Sequence, residues 1–149
     1  MLEDVELLDR MRCIVKLYDR LSAKVCEKCR INRTEMDVLA FLNNHPHCDT
    51  ARDIVEIRML PKANVSLAVE SLIQKGFLVR RADEKDRRRV HLTITPQAAE
   101  TVEAIERMQR YELEVRMRGF SEEEKSQYRD IMQRIYENAK EELEILDKK

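Results

Sequence analysis

The chain has 149 residues, of which 43% are hydrophobic and 38% are charged, with two glycines and three prolines. This composition excludes a disordered chain and favours one domain with long, charged surface helices. No apolar run approaches the ~18 residues that a membrane span needs, and the acidic opening MLEDVELLDR is not typical of a signal peptide, so we expect a cytoplasmic protein without a membrane partner.

The first predicted helix covers residues 4–29, where apolar side chains recur three or four positions apart. A helix of this length cannot bury its whole apolar stripe against so small a domain. Part of the stripe should therefore meet another subunit. The stripe consists of Val5, Leu8, Met11, Ile14 or Val15, Tyr18, Leu21 and Val25.

Two shorter helices follow a break at residues 29–33. Thr34 with Asp37 predicts a capping-box-like start for the second helix, which should run to about Asn44. Thr50 with Asp53 repeats the pattern and opens the third helix, which should end near Ile57. The core candidates of the second helix are Met36, Leu39, Ala40 and Leu42.

The fourth helix starts at Pro61, which fits a first helical turn because the missing N–H has no partner there. Lys75 and Gly76 are a helix stop signal. With a turn near residues 58–60, the third and fourth helices form a helix-turn-helix. The fourth helix has one apolar face, formed by Val65, Ala68, Val69, Leu72 and Ile73.

A β-hairpin follows the fourth helix. Residues 77–82 read as one strand, and residues 90–94 alternate apolar and polar side chains as a half-buried strand does. The loop between them, residues 83–89, is polar and rich in arginine. Residues 61–91 carry eight basic and four acidic side chains, although the whole chain has a net charge of −1. A helix followed by a hairpin with a cationic tip is the layout of a winged-helix DNA reader.

Two helices complete the chain. Thr95 as cap and Pro96 in the first turn predict a fifth helix to about Arg118, and Gly119 should end it. Ser121 with Glu124 caps a sixth helix. Its apolar seam has coiled-coil-like spacing and consists of Tyr128, Ile131 or Met132, Ile135, Ala139, Leu143 and Leu146.

The segment Asp86-Arg87-Arg88-Arg89-Val90-His91-Leu92-Thr93-Ile94-Thr95 resembles the Asp-x-Arg wing and exit strand of the MarR family of transcriptional regulators. The pattern Val65-Ser66 followed by Leu72 to Leu78 is a second match in register with the first. The resemblance covers nearly the whole chain. It implies one domain, residues 1–149, that is mainly α-helical with a small β-hairpin wing. Residues 34–95 would be the winged helix-turn-helix, and residues 1–30 and 96–149 the dimerisation helices.

The fourth helix presents four candidate DNA contacts once its apolar face is turned inward. Lys62 suits a phosphate, Asn64 an adenine and Ser66 a base or a phosphate. The family often has a basic residue at the position of Leu67. A leucine contacts only apolar groups, chiefly a thymine methyl, so guanine recognition is not expected there.

The wing supplies the other candidate DNA contacts. By the resemblance, Arg88 enters the minor groove and Asp86 orients it through a salt bridge. A narrow A·T minor groove has an enhanced negative potential that attracts a guanidinium. Arg87 and Arg89 would add phosphate contacts.

The cysteines allow two other interpretations. Cys26 and Cys29, with the nearby His45, His47 and Cys48, have the residue types of a zinc site, but the second helix, about 16 Å long, separates the two groups. Cys13 lies roughly where peroxide-sensing relatives carry a reactive cysteine, although the tyrosine that follows is displaced by one position. Cys13 is therefore a candidate redox residue, and the alternative is a buried, inert thiol.

These observations predict a homodimeric, sequence-specific DNA-binding regulator that needs no cofactor or metal and is not an enzyme. By the resemblance it represses transcription from a pseudo-palindromic operator until a small-molecule effector releases it. The first alternative is a thiol-based redox regulator with the same DNA module. The second is a dimeric winged-helix scaffold that binds protein rather than DNA.

Overall fold

The computed structural model describes the backbone from residue 2 to residue 149 and the side chains from residue 5 onward. Most of this part of the chain is helical, and one antiparallel hairpin interrupts the helices. The mainly α-helical fold with a small wing is thus confirmed. The elements are α1 Leu2–Cys29, α2 Arg33–Asn44, α3 Ala51–Arg58, α4 Lys62–Gln74, β1 Leu78–Ala82, β2 Val90–Ile94, a 3-10 turn Pro96–Ala98, α5 Ala99–Arg116 and α6 Glu122–Asp147.

Side-chain caps fix the starts of three helices. The predicted capping boxes of α3, with Thr50 and Asp53, and of α6, with Ser121 and Glu124, are both confirmed. The predicted start of α2 at Thr34 is wrong, because Asn32 is the cap and its side chain accepts a hydrogen bond from Glu35 N at 2.8 Å. Asn32 is as good a cap as threonine and has the required glutamate three positions later.

Two other helix boundaries differ from the prediction. Pro61 is the N-terminal cap of α4 rather than its first helical residue. Thr95 makes no side-chain cap to the 3-10 turn, because its hydroxyl donates instead to the carbonyl of Gly76. Gly76 has a φ of +77° and reverses the chain between α4 and β1, as its position in a stop signal predicts.

The core lies between α2, α3, α4 and the hairpin, with contributions from the C-terminal part of α1 and from α5. The predicted apolar faces of α2 and α4 are buried, except that Ile73 is only partly buried. In β2, Leu92 faces the core as predicted, whereas Val90 is 37% exposed and His91 is largely buried. The strict alternation therefore fails at the end of β2 nearest the wing loop. The strands pair in the register Leu78 with Ile94 and Ala82 with Val90.

The chain divides into two compact units, Met1–Glu112 and Leu113–Lys149. In the first unit, the N-terminal half of α1 exposes its apolar stripe, from Val5 at 57% to Val15 at 58%. In the second unit, no residue of α6 is buried and the predicted seam lies open. No helix among the described residues is long and apolar enough to cross a membrane.

Candidate nucleic-acid interface

The outer face of α4 presents all four residues that the sequence singles out. Lys62, Asn64, Ser66 and Leu67 are exposed, and the Leu67 side chain is 73% exposed. The opposite face holds Val65 and Leu72 at 0% exposure. Burial of that apolar face fixes the rotation of the helix and leaves the polar side chains and Leu67 free to meet a ligand.

An ion pair joins this face to the wing. Arg80 of β1 contacts Glu70 of α4, with 2.6 Å between Nη2 and Oε2. Glu70 is the one acidic side chain of α4, so Arg80 neutralises the charge that would repel a phosphate from this face. Both side chains are half exposed, so the pair contributes little to stability. Its consequence is electrostatic, and it also places β1 beside α4.

Asp83 organises the wing loop, residues 83–89. One of its carboxylate oxygens accepts hydrogen bonds from the backbone N–H groups of Lys85 at 2.9 Å and Asp86 at 3.0 Å. The Asp83 N–H donates to the carbonyl of Arg89 at 2.9 Å and closes the loop. The sequence alone predicts only a polar loop here, whereas the structure shows an ordered turn built on one carboxylate.

The expected salt bridge between Asp86 and the Arg88 guanidinium is absent. Asp86 Oδ1 instead accepts a hydrogen bond from the backbone N–H of Arg88 at 3.0 Å. An aspartate commonly bonds the backbone two residues later in a tight turn. The guanidinium groups of Arg87, Arg88 and Arg89 are exposed and form no ion pair with any described side chain, so three cations project from the turn.

His91 connects the wing to the helix-turn-helix. Its Nδ1 lies 2.7 Å from Asp49 Oδ1, one residue before the cap of α3, and its Nε2 lies 2.8 Å from Asp83 Oδ2. We call this arrangement the His91 bridge. The backbone N–H of Leu92 also donates to the carbonyl of Asp49 at 2.8 Å, so β2 is fixed to the start of α3 by both side chain and backbone.

The two carboxylates shift the titration of the bridge. The pKa of His91 is raised above its usual 6.5, first by the hydrogen bond to Asp49 and then by the bond to Asp83. The pKa of Asp83 is lowered to about 2, first by its hydrogen bond to His91 and then by the N–H groups of Lys85 and Asp86. Both shifts favour the charged forms, the imidazolium of His91 and the carboxylate of Asp83.

Sequence reasoning missed the residues of the bridge. Asp49 lies 42 positions from His91, and nothing in the local pattern relates the two. Period-two alternation assigned His91 to the solvent side of β2. The run of acidic residues in the wing loop gave a weak signal for Asp83, but only the folded hairpin shows which carboxylate turns back toward the strand.

The four cysteines differ in exposure. Cys13 is exposed on α1, so the alternative of a buried thiol does not hold within the first unit, where this part of α1 has no neighbour. Cys26 is partly buried with its Sγ 3.9 Å from Met36 Sδ, and burial raises the pKa of its thiol. No three histidine, cysteine or acidic side chains converge as a metal would require within the described part of the chain.

Comparison with known proteins gives consistent results. A model of the MarR family matches residues 31–89. Structures with the same fold include Staphylococcus aureus MepR in complex with DNA, with 22% identity over 89% of this chain and 94% of that one and a TM-score of 0.72. They also include the regulator SlyA, with 19% identity over 94% of this chain and 98% of that one and a TM-score of 0.75.

A curated relative is similar over most of its length. The HTH-type transcriptional regulator PecS of Dickeya dadantii is 30% identical over 122 residues, which span 80% of this chain and 73% of PecS. The matched region of the family model contains α2, α3, α4 and β1 together with the arginine-rich wing loop. The chain belongs to the MarR family of transcriptional regulators.

Proposed function

We propose that the protein is a homodimeric, sequence-specific DNA-binding regulator that represses transcription until a small-molecule effector releases it. The observation that supports this most strongly is the joint placement of two exposed elements in the first unit. The outer face of α4 is joined to the hairpin that carries the arginine loop, through the ion pair of Glu70 with Arg80 of β1. A helix of this kind suits a major groove, and a cationic loop beside it suits the adjoining phosphates and minor groove.

The four side chains on α4 divide into two classes. Lys62 contacts phosphate and sets the position of the protein on the duplex, whereas Asn64, Ser66 and Leu67 contact base edges. Leu67 has no hydrogen-bonding group, and its exposure lets it reach a thymine methyl. The preferred half-site therefore contains adenine and thymine beside α4, and an A·T minor groove beside Arg88.

A dimer would carry two copies of α4 and of the wing. The apolar stripe of α1 and the seam of α6 are both exposed, and apolar side chains grouped in this way typically mark an interaction surface. A second copy of the chain would cover them. Two copies of α4 in successive major grooves require a pseudo-palindromic operator with half-sites about 10 base pairs apart.

A hollow in the first unit suits the effector. It has a volume of about 480 Å³ and lies between the C-terminal end of α1 and α5, within the size range of small-molecule sites. Both charge signs line it, so a small polar or zwitterionic molecule fits it better than a purely apolar one. The lining residues are Lys28, Cys29, Glu100, Thr101, Glu103, Ala104 and Arg107.

Selection of genomic fragments by the purified protein tests the function. We expect enrichment of a two-fold symmetric site and a binding constant that falls steeply as salt rises, because phosphate contacts release counterions. A dimeric scaffold that binds only protein would enrich no motif and would show no such salt dependence. Reporter transcription from the selected site, with and without the protein, then separates repression from activation.

A further inference from the structure

We propose that His91 is a positioning residue for the wing: its imidazolium ties the start of α3 to the base of the wing loop and thereby sets where Arg88 meets DNA. The inference rests on the proposed DNA-binding function. It adds that the affinity for DNA depends on the protonation of His91, and therefore on pH. Its basis is the His91 bridge, with ring nitrogens 2.7 Å from Asp49 and 2.8 Å from Asp83.

Hydrogen-bond chemistry fixes the charge that this geometry needs. An ionised carboxylate only accepts hydrogen bonds, and a neutral imidazole donates from only one nitrogen. Both short contacts are therefore satisfied together only when His91 is protonated. The ring is 16% exposed, less than either carboxylate, so water reaches the ring nitrogens less easily than it reaches the carboxylate oxygens. On deprotonation, one carboxylate faces a nitrogen lone pair, and the contact on that side becomes repulsive.

The carboxylate of Asp83 carries this change into the loop. Asp83 holds the N–H groups of Lys85 and Asp86 with one oxygen while it holds His91 with the other. Asp86 in turn holds the N–H of Arg88. A chain of hydrogen bonds thus runs from the ring to the arginine that we expect in the minor groove. Release of Asp83 from His91 would loosen the turn but leave the hairpin paired.

The direction of the pH effect follows from the sign of the shift. The pKa of His91 is raised in the folded chain, so the stabilisation of the bridge is complete below the ordinary value near 6.5 and is lost as pH rises through the raised value. The pKa of Asp83 is lowered to about 2, so the stabilisation that its carboxylate provides is lost only in strong acid. Other charged residues lie near the ring: Arg81 is its cross-strand partner, and Glu84 and Lys85 line the same hollow as His91.

The arrangement is not a metal site. No three histidine, cysteine or acidic side chains converge on one point among the described residues, so the bridge does not have the ligand set that a metal site needs. The other side-chain link between wing and helix-turn-helix joins Arg80 to Glu70 and contains no histidine. His91 is the one histidine of the hairpin, residues 78–94.

The decisive experiment measures operator affinity and backbone amide exchange in the wing loop from about pH 6 to about pH 9.5, the range in which a raised histidine pKa falls. Wild type should lose affinity several-fold with rising pH, while the amides of residues 83–89 lose protection after correction for intrinsic rates. His91→Gln should bind more weakly at low pH and show a flat profile for both readouts. His47→Gln, which alters an exposed histidine outside the bridge, should behave as wild type.

A second variant guards against misfolding of the first. Asp49→Asn keeps an acceptor for the ring and keeps the backbone contact to Leu92, but it removes one negative charge. The ring pKa of His91, measured by nitrogen chemical shifts, should fall, and the midpoint of the affinity profile should fall with it. A purely electrostatic effect of losing one positive charge would change affinity without changing the exchange of the wing amides.

The outcomes separate this inference from the function on which it rests. A wild-type protein that binds no DNA at low salt at any pH overturns the proposed function, and amide exchange with ring titration then decides the bridge. DNA binding with the same pH profile in wild type and His91→Gln overturns the bridge and leaves the function standing. A His91 ring that titrates at or below its ordinary value also overturns the bridge.

Discussion

At the scale of single residues, the turn in the wing loop leaves the side chain of Arg88 exposed. The Asp86 carboxylate holds a backbone N–H instead of a guanidinium, so Arg88 keeps its full charge and its freedom to enter a groove. An aspartate near a phosphate backbone carries an electrostatic cost. We expect the turn that Asp86 closes to strengthen DNA binding by more than the negative charge of Asp86 weakens it.

Loss of the arginine should separate binding from folding. Arg88→Ala should weaken operator binding by about 1–3 kcal/mol, the range for a base-contacting arginine, because a charge contact in the groove disappears. The midpoint of thermal unfolding should hardly change, since the side chain is exposed and outside the core. Fluorescence anisotropy and calorimetry measure the two quantities. Arg110→Ala on α5 is the control and should leave binding unchanged; equal weakening by both variants would remove the special role of Arg88.

The Asp86→Ala variant gives a prediction whose sign is informative. Removal of a negative charge close to DNA should tighten binding if only net charge matters. We expect weaker binding, because the turn that presents Arg88 loses its closing hydrogen bond. A double-mutant cycle with Arg88→Ala should show clear coupling between the two positions. Additive effects with tighter binding by Asp86→Ala would contradict the presentation mechanism.

At the scale of elements, α4 is the helix that we propose reads DNA, and its outer face has few hydrogen-bond donors and an exposed leucine. Its apolar face is fixed against the core by Val65 and Leu72, so the outer face cannot rotate to offer other side chains. Glu70 is neutralised by Arg80, so under the proposed function the side chains in the N-terminal half of the helix would specify sequence. The apolar contact proposed for Leu67 is the most unusual of these.

Leu67 provides a test that combines a protein change with a base change. Replacing the contacted thymine by deoxyuridine removes one methyl group, which should cost wild type roughly 0.8 kcal/mol, the value for one buried aliphatic carbon. Leu67→Ala should lose a similar amount on the normal operator and should no longer distinguish thymine from uracil. Affinity measurements on operators substituted at one thymine at a time locate the contact. Full discrimination retained by Leu67→Ala would show that the leucine does not read this methyl.

At the scale of the whole molecule, two apolar surfaces lack cover within their own units. In the first unit the N-terminal half of α1 leaves Leu8, Met11 and Val15 exposed, and in the second unit α6 leaves Ile131, Ile135 and Leu146 exposed. Both patterns have helical spacing, which is typical of surfaces that pack against another helix. A second copy of this chain is the partner that the family resemblance favours.

A charge placed in the seam of α6 should break the dimer. Ile135 is 49% exposed, and Ile135→Asp would place a carboxylate where two copies bury apolar surface. Gln133→Asp makes the same change in net charge two positions away, nearly on the opposite side of the helix. We expect monomers or aggregates from Ile135→Asp and dimers from Gln133→Asp, measured by analytical ultracentrifugation.

Truncation provides an independent test of the dimer. Removal of residues 1–12 or of residues 135–149 should abolish dimerisation or lower solubility, because either truncation removes part of the apolar surface that a second copy would cover. A well-folded monomer after either truncation, judged by light scattering and circular dichroism, would contradict a dimer interface built from both ends of the chain.

Local information in the sequence determined the elements of this protein. Helical spacing in α2 and α4, the capping boxes of α3 and α6, and the cationic hairpin were all readable, because each depends on residues a few positions apart. The shift of the α2 cap from Thr34 to Asn32 stayed within the same kind of local signal. The exposed outer face of α4 followed directly from the buried one.

Tertiary structure alone decided the contacts that join distant segments. Asp49 and His91 meet because β2 crosses the start of α3, and Glu70 meets Arg80 because β1 turns back along α4. No periodic pattern encodes such pairs, since each partner looks like an ordinary polar surface residue in its own segment. In the folded turn, the Asp86 carboxylate accepts a hydrogen bond from the backbone N–H of Arg88 rather than from the Arg88 guanidinium. The sequence thus predicted a cationic wing beside a reader helix, and only the folded chain determined how that wing is held.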